Sequence, residues 1–142
     1  RQRQMCIRDR SYPYLETLTD LAEQSDFLVV CCPGGPETRH IVDGTVLNAL
    51  GPKGFLVNVA RSSIVDTEAL ITALKERVIA GAAIDVYDNE PNIPDAFKKL
   101  DNVVLTPHLS GSADDATHAK YLLYMENMRA HFDGATLPTP AP

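Results

Sequence analysis

The sequence lacks several features that would place a protein in a class at once. Its 142 residues include no tryptophan and three cysteines, and no apolar run reaches the 18 residues typical of a membrane span. Cys31 and Cys32 are adjacent, without the spacing of a metal site or a disulfide framework, so they are interpreted as small apolar side chains in a reducing compartment. We therefore expect a cytoplasmic protein with no metal site and no membrane contact.

Positive charge is also scarce. The chain carries 13 Lys and Arg residues against 19 Asp and Glu residues, which gives a formal net charge of −6. Residues 1–10 hold four arginines and one aspartate, so the rest of the chain is three charge units more acidic than the whole. This balance argues against nucleic acid as a partner. Residues 1–10 show no apolar periodicity; we expect a non-native leader, with a native basic arm as the alternative.

In the rest of the chain, short apolar runs alternate with segments whose apolar residues have helical spacing. Short apolar runs at 26–33, 54–60, 78–86 and 102–107 predict four strands, and the continuous first run is typical of a strand buried on both faces. Helical spacing of apolar residues recurs at 14–24, 38–50, 66–76 and 114–132, with Asp66 as an N-cap of the third helix. Strands that alternate with helices predict an α/β fold with a parallel, doubly wound sheet.

One element of the best-known doubly wound sheets is missing. A dinucleotide-binding sheet opens with a strand and a Gly-x-Gly-x-x-Gly turn, and a residue that reads the ribose follows about 20 residues later. The sequence contains neither feature, because the two glycines of CPGGP (32–36) are adjacent and lie between prolines. The sequence therefore provides no phosphate-binding turn of that type.

Polar side chains follow the predicted strands. Arg61 comes after the second strand, Asp85 and Glu90 come after the third, and His108 comes after the fourth. Parallel strands end at one edge of a sheet, which is where open α/β sheets bind ligands. Taken singly, each side chain has an ordinary structural role, such as a surface ion pair for Arg61 or a loop cap for Asp85. A cation, a carboxylate and an imidazole at one edge together favour a catalytic site.

Three segments of the chain are NVARSSIVDTEALITALKE, AGAAIDVYDNEP and NVVLTPHLSGS, and DFLVVCCPGGPETRHIVD precedes them. The three segments resemble the C-terminal signatures of the D-isomer-specific 2-hydroxyacid dehydrogenases, and the fourth resembles the segment that precedes those signatures in that family. TPHLSG and the ending MRAHFDGATLPTP favour the branch of glyoxylate/hydroxypyruvate and hydroxyphenylpyruvate reductases. The resemblance implies that residues 11–112 are part of a Rossmann-like dinucleotide-binding domain. It implies that residues 113–142 are a C-terminal helix and tail that pack toward a substrate domain.

The resemblance also implies roles for individual residues. The catalytic arginine, glutamate and histidine of the family correspond to Arg61, Glu90 and His108, and the aspartate that binds the nicotinamide carboxamide corresponds to Asp85. Ser62 replaces the glycine that usually follows the arginine, which would be unfavourable if the backbone there had a positive φ. The implied cofactor-binding residues are Cys32, Pro33, Thr38, Val59, Ala60, Asp85, His108 and Gly111.

By this resemblance, the expected reaction is hydride transfer between NAD(P)H and a small 2-keto acid, of the glyoxylate or hydroxypyruvate type, to give a D-2-hydroxy acid. The branch favours NADPH over NADH, and the full-length protein is expected to be a homodimer. We expect the 142-residue chain alone to be inactive or to bind cofactor weakly, because it lacks the phosphate-binding turn. A non-enzymatic NAD(H)-sensing scaffold or co-repressor of the same fold is the alternative.

Overall fold

The computed structural model describes residues 14–140, and it contains one four-stranded parallel sheet in the order β1-β2-β3-β4. The expected leader at residues 1–10 lies outside the described residues. The strands are β1 (Phe27–Val30), β2 (Phe55–Asn58), β3 (Gly81–Ile84) and β4 (Val103–Leu105). The helices are α1 (Leu18–Glu23), α2 (Gly44–Leu50), α3 (Thr67–Lys75), α4 (Asp95–Lys98) and α5 (Asp114–Phe132). The predicted α/β class is confirmed.

The strands end level with one another. Val30 pairs with Asn58, Asn58 pairs with Ile84, and Ile84 pairs with Leu105, so the last residue of each strand faces the last residue of its neighbour. The loops that follow the strands therefore start from one straight edge of the sheet. We refer to this edge, with the loops that leave it, as the carboxyl edge.

Helices α1 to α4 pack on one face of the sheet. Leu28 and Leu56 are buried against helices α1 to α3, because alternate side chains of a strand point to the same face. On the opposite face, Phe27 is 63% exposed and Val29 is 51% exposed, and the Phe27 ring stacks on Phe55 at a centroid distance of 5.2 Å. The expectation that β1 is buried on both faces is therefore wrong for the described residues.

Capping aspartates fix where two helices begin. Asp66 accepts a hydrogen bond from the Ala69 N–H at 3.0 Å, which confirms the predicted N-cap of α3. Asp43 accepts from the Thr45 and Val46 N–H groups, so α2 starts at residue 44 and not at the predicted residue 38.

The C-terminal helix α5 has the bounds that its sequence predicts, but its apolar side chains are exposed. No residue of α5 is buried, and Phe132 is 76% exposed although its spacing places it on an apolar face with Leu122. Within residues 14–140, no helix is both long enough and apolar enough to cross a bilayer.

Candidate active site

Asn58 shapes the turn after β2 that carries Arg61. Its side chain is buried, its Nδ2 donates to the Arg61 carbonyl at 3.1 Å, and its Oδ1 accepts from the Ala60 N–H at 3.1 Å. The Asn58 amide group therefore binds two backbone groups of the turn, the Ala60 N–H and the Arg61 carbonyl. Asn58 is not among the predicted site residues, although it is recognisable in the sequence as a lone polar residue inside the apolar run 54–60.

The Arg61 side chain is exposed at the carboxyl edge. Its Nη1 donates to the Ala60 carbonyl at 2.6 Å, and a Cβ placed on Gly34 would lie 2.9 Å from the Arg61 Cγ. Gly34, in the loop after β1, thus leaves room for the arginine stem. Ser62 begins a short 3-10 helix, Ser62–Ile64, and is not among the residues with positive φ. Serine is therefore compatible with the backbone at this position.

Asp85 directly follows β3 and is 2% exposed. Its Oδ1 accepts from the Thr106 hydroxyl at 2.5 Å and from the Leu109 N–H at 2.8 Å, and its Oδ2 accepts from the Ser110 N–H at 2.9 Å. Burial by itself raises the pKa of the Asp85 carboxyl, but the hydrogen bonds from Ser110, Thr106 and Leu109 outweigh burial and hold this pKa well below its usual range. Asp85 is therefore ionised at neutral pH.

Glu90 and His108 form a hydrogen-bonded pair in the loops after β3 and β4. The His108 Nδ1 lies 2.8 Å from the Glu90 Oε2, and the Glu90 Oε1 accepts from the Tyr87 N–H at 3.0 Å. The hydrogen bonds from His108 and Tyr87 lower the pKa of the Glu90 carboxyl. An ionised carboxylate only accepts hydrogen bonds, so the His108 Nδ1 carries a proton. No hydrogen bond from residues 14–140 reaches the other ring nitrogen, Nε2.

Tyr87 connects the ends of β3 and β4. Its buried hydroxyl lies 2.8 Å from the Ile84 carbonyl and 3.0 Å from the Thr106 carbonyl. Burial raises the pKa of the Tyr87 phenol, and the charges of Asp85 and Glu90 act in the same direction, so the phenol remains a donor. No sequence pattern marks Tyr87, because its partners lie at the ends of two different strands.

The structure brings two of the three predicted catalytic residues into contact. Glu90 and His108 are hydrogen bonded, and the predicted cofactor-binding residue Asp85 accepts hydrogen bonds from the loop that carries His108, whereas Arg61 has no hydrogen bond to Glu90 or His108 within the described residues. Arg61 follows β2, which is adjacent to β3 in the sheet. The arrangement therefore offers a guanidinium and an imidazole at one edge of the sheet.

The residues predicted to contact a cofactor lie along the carboxyl edge. The predicted cofactor-binding positions are Cys32, Pro33 and Thr38 after β1, Val59 and Ala60 after β2, Asp85 after β3, and His108 and Gly111 after β4. The Thr38 hydroxyl donates to the Pro33 carbonyl at 2.9 Å, which closes the loop after β1.

Among residues 14–140, no group of three or more His, Cys, Asp and Glu side chains could hold a metal ion.

The chain matches a family model and is similar to known reductases. The model, described as D-isomer specific 2-hydroxyacid dehydrogenase, NAD binding domain, matches residues 2–110. Glyoxylate/hydroxypyruvate reductase A of Arabidopsis thaliana is 46% identical over 132 residues, which cover 93% of this chain and 42% of that protein. Hydroxyphenylpyruvate reductase of Plectranthus scutellarioides is 42% identical over 130 residues, which cover 92% of this chain and 42% of that protein. The chain thus spans less than half the length of these relatives.

Solved structures show the same similarity. The NADPH-dependent glyoxylate/hydroxypyruvate reductase of Sinorhizobium meliloti, crystallised with NADP and malonate, superposes with a TM-score of 0.80 at 42% identity, over 94% of this chain and 42% of that chain. The apo D-mandelate dehydrogenase of Rhodotorula graminis superposes with a TM-score of 0.81 at 32% identity, over 90% of this chain and 37% of that chain. The described part of the sheet therefore has the fold of these dehydrogenases.

Proposed function

The chain belongs to the D-isomer-specific 2-hydroxyacid dehydrogenase family, and we propose that the full-length protein transfers a hydride between NAD(P)H and a small 2-keto acid to give a D-2-hydroxy acid. One observation carries the proposal: His108 is held at Nδ1 by ionised Glu90, and its Nε2 faces no partner among residues 14–140. Relatives named as glyoxylate and hydroxypyruvate reductases support keto acids of that size as substrates.

The carboxyl edge fits a nicotinamide dinucleotide. Asp85 is an ionised acceptor at this edge, and a carboxylate accepts hydrogen bonds of the kind that a carboxamide N–H donates. Ala60 and the exposed Val59 belong to the turn beside Arg61, at the edge where open α/β sheets hold such ligands. When bound, the dinucleotide supplies the hydride for the carbonyl carbon. The NADPH-dependent relative from Sinorhizobium meliloti supports NADPH over NADH.

His108 is proposed as the general acid. The carbonyl oxygen of the substrate gains negative charge during reduction, and a proton from the His108 Nε2 neutralises it. The ionised Glu90 carboxylate accepts the Nδ1 proton, with its Oε2 2.8 Å from Nδ1, and so orients the ring with Nε2 available to the substrate. General acid catalysis of this kind accelerates a reaction by roughly 10²–10⁴-fold.

Arg61 is proposed to bind the substrate carboxylate. Its guanidinium can donate two parallel hydrogen bonds to a carboxylate, a geometry that lysine does not reproduce. Asn58 and Gly34 support this role, because the first holds the backbone of the turn and the second leaves space for the side chain.

Turnover of glyoxylate and hydroxypyruvate by the complete protein with NADPH tests the proposal. We expect His108→Gln to lower kcat by roughly 10²–10⁴-fold, and Arg61→Lys to raise KM for the keto acid more than it lowers kcat. His118→Gln, on exposed α5, is the matched control and leaves both constants unchanged. A complete protein that binds NADPH but reduces neither keto acid would favour the scaffold or co-repressor alternative.

We also propose that the full-length protein is a cytoplasmic homodimer, and that residues 113–142 pack toward a substrate domain. The exposed apolar side chains of Leu122 and Phe132 on α5 support such packing. The isolated 142-residue chain is proposed to be inactive or to bind cofactor weakly. Titration of this chain with NADPH and NADH measures the affinity, and a micromolar dissociation constant would contradict the proposal.

A further inference from the structure

The loop that carries His108 has an unusual backbone. His108 follows Pro107 and has a φ of 54°, in the left-handed region that residues other than glycine seldom occupy. Such a conformation persists only where the surrounding structure holds it in place. The contacts that hold this loop therefore decide where the imidazole points.

Three hydrogen bonds from this loop converge on one buried carboxylate. The Thr106 hydroxyl donates to the Asp85 Oδ1 from the side before His108, and the N–H groups of Leu109 and Ser110 donate to Asp85 from the side after it. Asp85 thus holds the chain on both sides of the residue with positive φ. The donors also hold the pKa of the Asp85 carboxyl well below its usual range against the effect of burial, so the carboxylate accepts all three at neutral pH.

We propose that Asp85 is a positioning residue that sets the orientation of His108 through Thr106, Leu109 and Ser110, independently of any contact with cofactor. In this loop conformation the His108 Nδ1 lies 2.8 Å from the Glu90 Oε2. The importance of this orientation for catalysis rests on the proposed function, whereas the orientation itself belongs to the chain.

Threonine variants separate this role from cofactor binding. Thr106→Val keeps the shape of the side chain but removes one of the three donors to Asp85, and Thr106 is not a predicted cofactor contact. Thr106→Ser keeps the hydroxyl. Thr67→Val is the matched control, because the Thr67 hydroxyl, at the start of α3, donates to the Asp88 Oδ2 at 3.4 Å and not to Asp85. Asp85→Asn replaces one acceptor oxygen with a donor that faces N–H groups.

The experiment measures the protonation of each His108 ring nitrogen by ¹⁵N NMR of the 142-residue chain at neutral pH, with His108→Gln to assign the signals. In the parent chain we expect the proton of the neutral ring to be on Nδ1, where Glu90 accepts it. We expect Thr106→Val and Asp85→Asn to move this proton toward Nε2. Thr106→Ser and Thr67→Val should keep the proton on Nδ1, and we refer to the ¹⁵N chemical shifts of a ring in this form as the parent signature.

A folded Thr106→Val variant with the parent signature would overturn the proposal, and this holds even where Asp85→Asn fails to fold. In the complete protein, we expect Thr106→Val to lower kcat by roughly tenfold without changing KM for NADPH. A loss of stability without this change in kcat would reduce Asp85 to a purely structural role. A complete protein that reduces no 2-keto acid would contradict the proposed function and would leave the NMR result valid.

Discussion

Asp85 and Glu90 lie five residues apart after the same strand, and their surroundings differ. Asp85 is 2% exposed, and both of its oxygens accept hydrogen bonds from the loop after β4. The Glu90 side chain is 37% exposed, and one of its oxygens faces an imidazole that is itself 46% exposed. Both carboxyl groups have a lowered pKa, because hydrogen-bond donors surround them.

The loop after β3 therefore carries one carboxylate that fixes the backbone and another that contacts the imidazole. A buried carboxylate with matched donors fixes the backbone, because moving it would leave a charge and several N–H groups without partners. The exposed Glu90 carboxylate holds a single backbone group, the Tyr87 N–H, and its other oxygen accepts from the imidazole. We therefore expect substitutions of Asp85 to act mainly on stability, and substitutions of Glu90 to act mainly on catalysis.

The largest expected effect is on the stability of the 142-residue chain. Asp85→Ala leaves the Thr106, Leu109 and Ser110 donors without their acceptor and should lower the free energy of unfolding by about 3 kcal/mol. Glu90→Ala is the matched carboxylate deletion and should have a much smaller effect. Urea unfolding monitored by circular dichroism measures both. Equal losses in the two variants would contradict the comparison.

A smaller effect is expected from acid. The pKa of Asp85 is lower in the folded chain than in the unfolded chain, where an aspartate titrates near 3.9. The stability that this shift provides is complete above the unfolded value and is lost as pH falls toward the folded value. The expected loss is on the order of 2 kcal/mol.

Urea unfolding between pH 7 and pH 3 measures the first part of this loss, which begins near the unfolded value. Asp85→Asn should show a lower stability at pH 7 and a shallower loss toward pH 3, because position 85 no longer takes up a proton. Glu90→Gln should keep most of the acid dependence of the parent chain. A parent-like slope in Asp85→Asn would assign the acid dependence to other carboxylates.

Much of the fold and of the site follows from sequence patterns. Apolar runs and helical spacing predict the alternating elements, and Asp66 is recognisable as a cap because the contact that it makes lies three residues away. The position of Arg61, Glu90 and His108 at one edge follows from parallel strands that end together. These features depend on residues that are close in sequence or on the common direction of parallel strands.

The remaining features depend on contacts that sequence patterns do not record. The hydroxyl of Tyr87 meets Thr106, and the carboxylate of Asp85 meets Leu109, across 19 and 24 residues of chain. The continuous apolar run of β1 is compatible with cover on one face or on both, so the exposed Phe27 and Val29 could not be anticipated. The positive φ of His108 is likewise not marked by any pattern in the sequence.

The smallest expected effect concerns the pH dependence of the proposed reaction. Glu90→Gln keeps the size of the side chain and one acceptor oxygen but removes the negative charge that faces the His108 Nδ1 at 2.8 Å. The pH above which 2-keto acid reduction fades should therefore be lower in this variant than in the parent protein. The measurement is kcat/KM for glyoxylate against pH in the complete protein. Asp88→Asn removes an exposed charge two residues away and serves as the control, and a shift of equal size in that variant would show that general surface charge, and not the Glu90–His108 pair, sets the profile.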